Sequence, residues 1–442
     1  MGTFWTWTAA VFAATASPAL AQDGDGFDLS GSVRLRYEAI ANQPRVGYNR
    51  DDALVNLRTT VMARYRSGPF TVAGEIWDSR VYGNNPGSPV TTGEVDTLEP
   101  VQAFVAWKGG VGKAKISAQA GRFLLNIGSR RLVGADEYRN TTNGYTGLRG
   151  DVLEDRLTAT AIYVLPQQRR PDDAASLQSN AVALDREGFD LVLWGATIAR
   201  AKIRGSLMAE ASFYHLGERD MPGHPTRDRS LDTWGGRLIR DPATGKPDGE
   251  VEAFYQSGTI SASTTPGAAR LPVSAWFIHA AAGYSFHGPL KARLALQYDR
   301  ASGDHGGSSY GRFDTLYGMR RADLAPAGLY NAVGRANIST PGLRLEVTPS
   351  PRWDAFVTYH ALWLASRTDS FSTTGVRDAS GRAGAFAGHQ FDARFRWWVK
   401  PARLRLELDG VLLARGRFLE TAPNATAGTT TAYGSANLTA SF

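Results

Sequence analysis

The chain has 442 residues, a formal net charge of +7 and a mean hydropathy of −0.27, and it contains no cysteine. The absence of cysteine excludes both a disulfide framework and a thiolate metal site. Beyond the N-terminus there is no run of about eighteen apolar residues, which excludes helical membrane spans. The 48 glycines and the 10% aromatic content are typical of a protein built from strands and turns.

The N-terminal segment has the composition of a targeting signal. It is small and apolar, and Ala19-Leu20-Ala21 fits a signal-peptidase site. No lysine or arginine precedes Arg34, so the positively charged start of a typical signal is missing. We nevertheless predict a secretory signal peptide over residues 1–21, followed by one domain over residues 22–442.

The first predicted strand shows the pattern that recurs along the chain. In residues 32–39 one face carries valine, leucine, tyrosine and alanine, and the other carries serine, two arginines and glutamate. A period of two places alternate side chains on opposite faces of a strand. Several charges on one face would disrupt the core of a soluble sandwich, whereas the interior of a membrane barrel is polar. The pattern therefore favours strands that face lipid on one side and water on the other.

The same alternation predicts an all-β fold, a single transmembrane antiparallel β-barrel of about 18 strands with short periplasmic turns and long extracellular loops. The last predicted strand keeps the alternation up to the final residue, with Ala436, Leu438, Ala440 and Phe442 on one face. A terminal phenylalanine on the apolar face of the last strand resembles the C-terminus of outer-membrane barrels. The predicted strands lie near 32–39, 53–66, 70–76, 97–108, 113–122, 144–151, 156–165, 189–199, 202–215, 231–240, 249–257, 273–286, 291–302, 332–348, 352–365, 388–399, 403–416 and 430–442.

The predicted connections alternate in length, which a soluble β-sandwich has no reason to do. Short turns on one side and long loops on the other are typical of a bacterial barrel. The short turns are predicted at 67–68, 109–112, 150–155, 200–201, 287–289, 349–351 and 400–402, and the long loops at 41–51, 80–96, 123–143, 166–188, 216–230, 303–331, 366–387 and 417–429.

Two longer segments resemble the alginate-export family of outer-membrane proteins. Residues 119–149, from Gln-Ala-Gly-Arg-Phe to Gly-Tyr-Thr-Gly-Leu-Arg, are similar to its strand–loop–strand block. Tyr-Asp-Arg-Ala-Ser-Gly-Asp at 298–304 with Phe-Asp-Thr-Leu-Tyr-Gly at 313–318 is similar to a second block. Weaker matches lie at 359–365 and 388–392. The resemblance covers residues 27–442 and implies an outer-membrane channel whose arginine-rich lumen passes an anionic polysaccharide such as a polyuronate.

Arginine is the residue type expected to carry this selectivity. Only seven of the 49 basic residues are lysine, and the planar guanidinium group suits carboxylates and stays charged when partly desolvated. Acids beside the arginines would prevent an anion from being trapped. The candidate anion-attracting residues are Arg34, Arg36, Arg58, Arg64, Arg122, Arg130, Arg131, Arg149, Arg204, Arg293, Arg344, Arg394, Arg396 and Arg405, and the candidate lumen acids are Glu38, Glu75, Glu210, Asp299, Glu346, Asp392, Glu407 and Asp409.

Four of these arginines break the simple alternation. Arg122, Arg130, Arg131 and Arg149 lie in or beside the first family block, where a bulge or an inward-folded loop would place them at a constriction. Either loop 123–143 or loop 303–331 could close the pore, and the sequence does not choose between them. A purely structural role also stays open for each arginine, since arginine–acid ladders stiffen barrel walls.

Two other functional classes stay open. A general anion-selective porin for small solutes would use the same wall chemistry. A barrel enzyme of lipase type would need an oriented histidine, and His279 and His360 face the lumen by the alternation, without an evident serine–acid partner. We expect a channel and not an enzyme, with no cofactor and no metal. The expected partners are the outer-membrane bilayer, an anionic polysaccharide or small anions, and periplasmic export components, with no nucleic acid.

Overall fold

A computed structural model describes residues 24–319 and 323–442 of the chain. The predicted signal peptide, residues 1–21, lies outside the described residues. Each strand pairs antiparallel with its neighbours in sequence, and β1 pairs with β18, so the 18-stranded sheet closes into a barrel. The prediction of an 18-stranded antiparallel barrel is confirmed.

Most strands are longer than the alternation alone predicted. Their bounds are β1 Gly26–Ala41, β2 Asp52–Ser67, β3 Phe70–Tyr82, β4 Asp96–Val111, β5 Ala114–Leu124, β6 Gly144–Glu154, β7 Leu157–Pro166, β8 Leu191–Arg204, β9 Leu207–Glu218, β10 Ser230–Arg240, β11 Pro247–Ser261, β12 Arg270–Ser285, β13 Arg293–Ala301, β14 Ile338–Ser350, β15 Trp353–Trp363, β16 Phe386–Lys400, β17 Leu404–Arg415 and β18 Thr430–Ser441. Two short helices, α1 (Ala174–Gln178) and α2 (Arg417–Thr421), lie in loops. No helix among the described residues has the length and apolarity needed to cross a bilayer.

The two faces of β1 illustrate how the sequence sets inside and outside. Leu35 and Tyr37 are about half exposed on the outer surface, whereas Arg36 and Glu38 between them are fully buried in the interior. An outer apolar face meets lipid, while an inner polar face is covered by other protein groups or water. The first and last strands pair so that their outer faces coincide: Leu35 of β1 lies opposite Leu438 of β18.

One predicted turn is wrong. The β8–β9 turn lies at Gly205 and Ser206 instead of Arg200–Ala201, and β8 extends to Arg204. Gly205 adopts φ +61°, a left-handed conformation that glycine enters without steric cost. The predicted strand over 332–348 also begins later, at Ile338, because the preceding residues belong to a loop that enters the barrel.

The long loops do not all extend outward. The β5–β6 loop (residues 125–143) and the β13–β14 loop (residues 302–337) bury apolar side chains inside the barrel, such as Leu125, Val133, Leu329 and Tyr330. This buried apolar cluster is the core of the molecule. It is built from loop residues packed against the inner wall of the barrel. The alternating pattern of the strands does not predict this packing.

Gly121 in β5 is a position where only glycine fits. Its φ is +117°, and an added Cβ would lie 2.3 Å from the carbonyl oxygen of Ala103 in β4. We expect Gly121→Ala to cost about 1–3 kcal/mol, because a non-glycine residue is strained there. Gly150→Ala in β6 is the control, since its Cβ would meet no atom within 4 Å. The heat-dependent mobility shift in detergent gels should occur at a lower temperature for Gly121→Ala alone. Equal midpoints for the two variants would contradict this.

Candidate solute pathway inside the barrel

The β5–β6 loop crosses the interior from one wall to the other. Arg131 of the loop bonds to Glu250 and Glu252 of β11, while the loop carbonyls of Glu137 and Arg139 bond to arginines of β1 and β2. In the order of the ring, β1 and β11 lie on nearly opposite sides. The loop is therefore fixed at both walls and narrows the space that a solute could use.

Arg131 is surrounded by acids. Its Nη1 donates to Glu250 Oε1 and Glu252 Oε2, both at 2.6 Å, and its Nε donates to Asp323 Oδ2 at 2.8 Å. Burial alone would lower the pKa of the Arg131 guanidinium, but the three carboxylates outweigh it and hold that pKa well above its usual value. Burial would likewise raise the pKa of Asp323, and Arg131 and Arg335 instead hold it well below its usual range. Arg131 thus anchors the loop and leaves no charge available to a solute.

Arg34 and Arg58 have a different environment. Arg34 donates to the carbonyl oxygen of Glu137 at 2.9 Å and to that of Arg139 at 2.8 Å, and Arg58 donates to the Arg139 carbonyl at 3.3 Å. Neither arginine forms an ion pair with a carboxylate in residues 24–319 or 323–442, and the Nε of each is buried without a hydrogen-bond partner there. Carbonyl dipoles satisfy donors but do not cancel a full charge. These two arginines therefore keep positive charge at the β1–β2 wall.

The neighbouring strands extend this positive region. Arg34 lies opposite Arg58 in the β1–β2 pair, and Arg34 and Arg405 both lie opposite Thr439 of β18. Arg405 is 3.9 Å from Glu407. We call Arg34, Arg58 and Arg405 the wall arginines. They occupy one row across four consecutive strands, β17, β18, β1 and β2.

The β5–β6 loop brings a charged pair close to the wall arginines. Arg130 Nη1 lies 3.8 Å from Glu137 Oε1, and the Glu137 side chain is 40% exposed. Burial raises the pKa of the Glu137 carboxyl, while Arg130, Arg58 and Arg405 oppose that rise. Arg130 and Glu137 are therefore the charged side chains that the loop brings to the wall arginines.

Most other predicted lumen arginines are paired with acids on the inner wall. Arg36 pairs with Glu38 at 2.7 Å, Arg122 with Glu99 at 2.5 Å, Arg149 with Asp151 at 2.9 Å, Arg293 with Asp248 at 2.5 Å and with Glu346 at 3.1 Å, Arg344 with Glu346 at 2.7 Å, and Arg394 and Arg396 with Asp354 at 3.2 and 2.9 Å. Arg64 is half-buried on the inner face of β2. Each of the paired arginines therefore has an acid beside it on the inner wall.

Several predicted lumen acids hold structure in place. Glu38 is fully buried and accepts hydrogen bonds from Asn56, from the Tyr433 hydroxyl and from the backbone N–H of Leu329 in the β13–β14 loop. The remaining acids also lie on the inner face. Glu75 accepts a hydrogen bond from Gln102 at 2.5 Å, and Asp299 bonds to His279 at 2.8 Å. Glu210 lies beside Gly128 of the β5–β6 loop, Glu407 lies beside Arg405, and Asp392 and Asp409 are buried.

Two site predictions need correction. Arg204 is exposed beside the β8–β9 turn and does not line the interior, because the turn lies five residues later than predicted. The four arginines assigned to one constriction are not brought together. Arg122 and Arg149 pair with strand acids, and only Arg130 and Arg131 lie on the β5–β6 loop. The acids that hold Arg131 are distant in sequence, so no local signal pointed to them.

The β5–β6 and β13–β14 loops, which the sequence offered as alternatives for closing the pore, both enter the interior. The β13–β14 loop is held by the Tyr330 hydroxyl, which donates to Gln390 at 2.5 Å, and by Gln390, which donates to the Leu324 carbonyl at 3.1 Å. Asp323 of the same loop binds Arg131 of the other. The two loops therefore support each other inside the barrel.

The two lumen histidines have partners that do not resemble a nucleophile system. His279 Nδ1 lies 2.8 Å from Asp299, and His360 Nδ1 lies 3.2 Å from the Thr340 hydroxyl. Within the described part of the chain neither ring has a hydrogen bond to a serine hydroxyl. An acyl-transfer triad needs a histidine with a hydroxyl nucleophile on one ring nitrogen and an acid on the other. His279 has an acid and no hydroxyl partner among the described residues, while His360 has the Thr340 hydroxyl and a buried Nε2 with no partner there. The described geometry gives no such arrangement.

Comparison with known proteins identifies both a family and a set of structural neighbours. The family model described as alginate export matches residues 26–433. No curated protein matches the chain. Three solved Pseudomonas aeruginosa structures share the fold. OccK8 (OprE) has 12% sequence identity and a TM-score of 0.58, and the match covers 94% of this chain and 98% of that one. OpdK with vanillate has 13% identity and a TM-score of 0.56, covering 94% of this chain and 100% of that one, and OccK2 (OpdF) with glucuronate has 12% identity and a TM-score of 0.57, covering 96% and 99%. The family favours a channel over an enzyme.

Proposed function

Because the chain belongs to the alginate export family, with the barrel of a bacterial outer-membrane channel, we propose that it conducts an anionic oligosaccharide or polysaccharide through an arginine-rich lumen. Transport is passive, and the solute is a polyuronate or a similar acidic saccharide. The proposal rests on one observation above all. Arg34 and Arg58 face the interior with their charges bound to carbonyl oxygens and not to carboxylates.

Since neither Arg34 nor Arg58 forms an ion pair with a carboxylate of the described residues, their positive charge lowers the energy of an anion in the narrow part of the lumen. At about 4 Å a pair of unit charges gains about 1 kcal/mol in bulk water, and more where low-dielectric walls surround it. Binding must also be weak enough for the solute to leave. The arginine–acid pairs around the rest of the wall provide many weak sites, so a chain of carboxylates could move from one to the next.

The neighbours supply an analogy for the chemical class. The OccK2 structure contains glucuronate and the OpdK structure contains vanillate, and both ligands carry one carboxylate. A polyuronate repeats such a carboxylate on every sugar. The wall arginines supply the guanidinium groups that bind carboxylates well.

A channel for small anions is the second candidate, and one observation favours it. The β5–β6 and β13–β14 loops both fill the interior with buried side chains such as Leu125, Val133 and Tyr330. A monomer needs a narrower path than a polymer. If these loops stay in place during transport, small carboxylates are the better fit.

Swelling of proteoliposomes separates the candidates. Purified protein is reconstituted, and the vesicles are placed in iso-osmotic solutions of a monouronate, a uronate tetramer or a neutral tetramer of equal size. The proposal predicts entry of both uronates and slower entry of the neutral tetramer. Entry of the monouronate alone would support the small-anion porin. Equal entry of the charged and neutral tetramers would contradict anion selectivity.

A further inference from the structure

Three buried carboxylates meet where β4 reaches the extracellular end of the barrel. Asp96 and Glu99 belong to β4, and Asp185 belongs to the β7–β8 loop (residues 167–190). One carboxylate oxygen of each lies within 4.8 Å of those of the other two, and all three residues are buried. The cluster is separate from the wall arginines, and it joins a strand to a loop.

A local irregularity of β4 brings the first two acids together. Asp96 and Glu99 differ by an odd number of positions, so a regular strand would place them on opposite faces. In the pairing with β3, however, Ser79 lies opposite Asp96 and Trp77 lies opposite Glu99. Two residues of advance along β3 therefore correspond to three residues of advance along β4. Leu98 between them adopts φ +58° and points outward. This β-bulge turns both carboxylates to the interior.

The hydrogen bonds of the cluster are incomplete. Glu99 accepts from Arg122 at 2.5 Å and from the backbone N–H of Asp185 at 3.0 Å, and Asp185 accepts from the backbone N–H of Arg170 at 2.8 Å. Asp96 differs from both. It is 3% exposed, and its Oδ1 is buried with no hydrogen-bond partner among the described residues. A buried carboxylate without a partner is costly, so this oxygen points to a missing cationic ligand.

The charges around the cluster do not balance. The charged groups that act most strongly on Asp96 are Asp185, Glu99, Arg169 and Arg122. Arg122 also lies 3.5 Å from Glu187, and Arg169 donates to the carbonyls of Thr92 and Thr142 at 2.8 Å each. With every group ionised, the four carboxylates and two guanidinium groups have a formal net charge of −2. One divalent cation would neutralise it.

We propose that Asp96, Glu99 and Asp185 bind a calcium ion that fastens the β7–β8 loop to the inner wall. The donor set consists of oxygens only, which suits a hard cation, and calcium accepts irregular geometry and completes its shell with water. Magnesium demands a near-octahedral shell and loses water reluctantly. The middle of the loop is already attached to β3 by Asn180, whose side chain bonds to both the N–H and the carbonyl of Val81 at 2.8 Å. The ion would add an attachment five residues further along that loop, at Asp185.

The test is calcium titration of the full-length barrel, refolded in detergent without lipopolysaccharide and freed of metal by chelation. Isothermal titration calorimetry with calcium chloride should give one site in the wild type. Asp96→Asn and Asp185→Asn should each weaken that binding by at least about tenfold, as the loss of a ligand group does. Glu154→Gln, an exposed acid at the end of β6, is the control and should bind as the wild type does.

Thermal unfolding gives a second readout that does not depend on the calorimetry. Calcium should raise the unfolding temperature of the wild type and of Glu154→Gln, and at the same concentration it should raise that of Asp96→Asn much less. Without calcium, Asp96→Asn should be at least as stable as the wild type, because it removes a buried like charge. Absence of calcium binding in the wild type would overturn the proposal, as would wild-type affinity in both cluster variants. An equal response to magnesium would overturn the choice of ion.

Discussion

Replacing both Arg34 and Arg58 with glutamine will lower the ratio of chloride to potassium permeability by about fivefold or more. Loss of about 1 kcal/mol of stabilisation changes such a ratio by about that factor. Glutamine keeps an N–H donor for the loop carbonyls of Glu137 and Arg139 and removes only the charge. The β5–β6 loop should therefore stay in place, and single-channel conductance should change much less than selectivity.

The controls for this double variant are basic residues at turns. Arg204→Gln lies at the exposed β8–β9 turn, and Lys291→Gln lies in the connection between β12 and β13. Each removes one positive charge from the molecule without touching the interior, so the permeability ratio should stay close to that of the wild type. The matched control is the double variant Arg204→Gln/Lys291→Gln, which loses the same number of positive charges. If it lowered the ratio of chloride to potassium permeability as much as the Arg34/Arg58 double variant, the anion preference would not come from the wall arginines.

Replacing Arg131 with methionine will release the β5–β6 loop and enlarge the pore. The change leaves Glu250, Glu252 and Asp323 as buried acids without their cation, and breaking a buried ion pair in this way costs about 3–5 kcal/mol. We expect a lower unfolding temperature together with larger and noisier single-channel conductance. Arg130→Met should change conductance much less, because the ion pair of Arg130 among the described residues is a 3.8 Å contact with the partly exposed Glu137.

A combined variant tests the cause of the Arg131 effect. If uncompensated acids are responsible, adding Glu250→Gln, Glu252→Gln and Asp323→Asn to Arg131→Met should recover most of the lost stability, since replacing a whole buried ion cluster is often close to neutral. The conductance should remain large, because the loop is still detached. Unchanged stability in the single variant would show that Arg131 does not hold the loop.

The wall of the barrel could be predicted from the sequence because it depends on a local period. The alternation in residues 32–39 places Leu35 outside and Arg36 inside, and one period repeated along the chain yields the strand count. The prediction failed where the period is broken. Gly205 moves the β8–β9 turn past Arg204, and the bulge at Leu98 turns Asp96 and Glu99 to the same face.

The interior could not be predicted in the same way. Arg131 meets Glu250 and Asp323, which are 119 and 192 positions away, and nothing in the local pattern links them. The distinction between Arg131, held by acids, and Arg34, held by carbonyls, also depends on where a loop lies in space. The residue type alone suggested the same role for both.

The most direct test of the central claim is the reversal potential of the wild-type protein in a planar bilayer under a potassium chloride gradient, with uronate oligomers added afterwards. We expect a potential of the sign that marks anion preference, and transient current blocks that lengthen as the oligomer lengthens. Neutral oligomers of the same length should block little. A cation-selective or unselective potential, with no difference between charged and neutral oligomers, would contradict it.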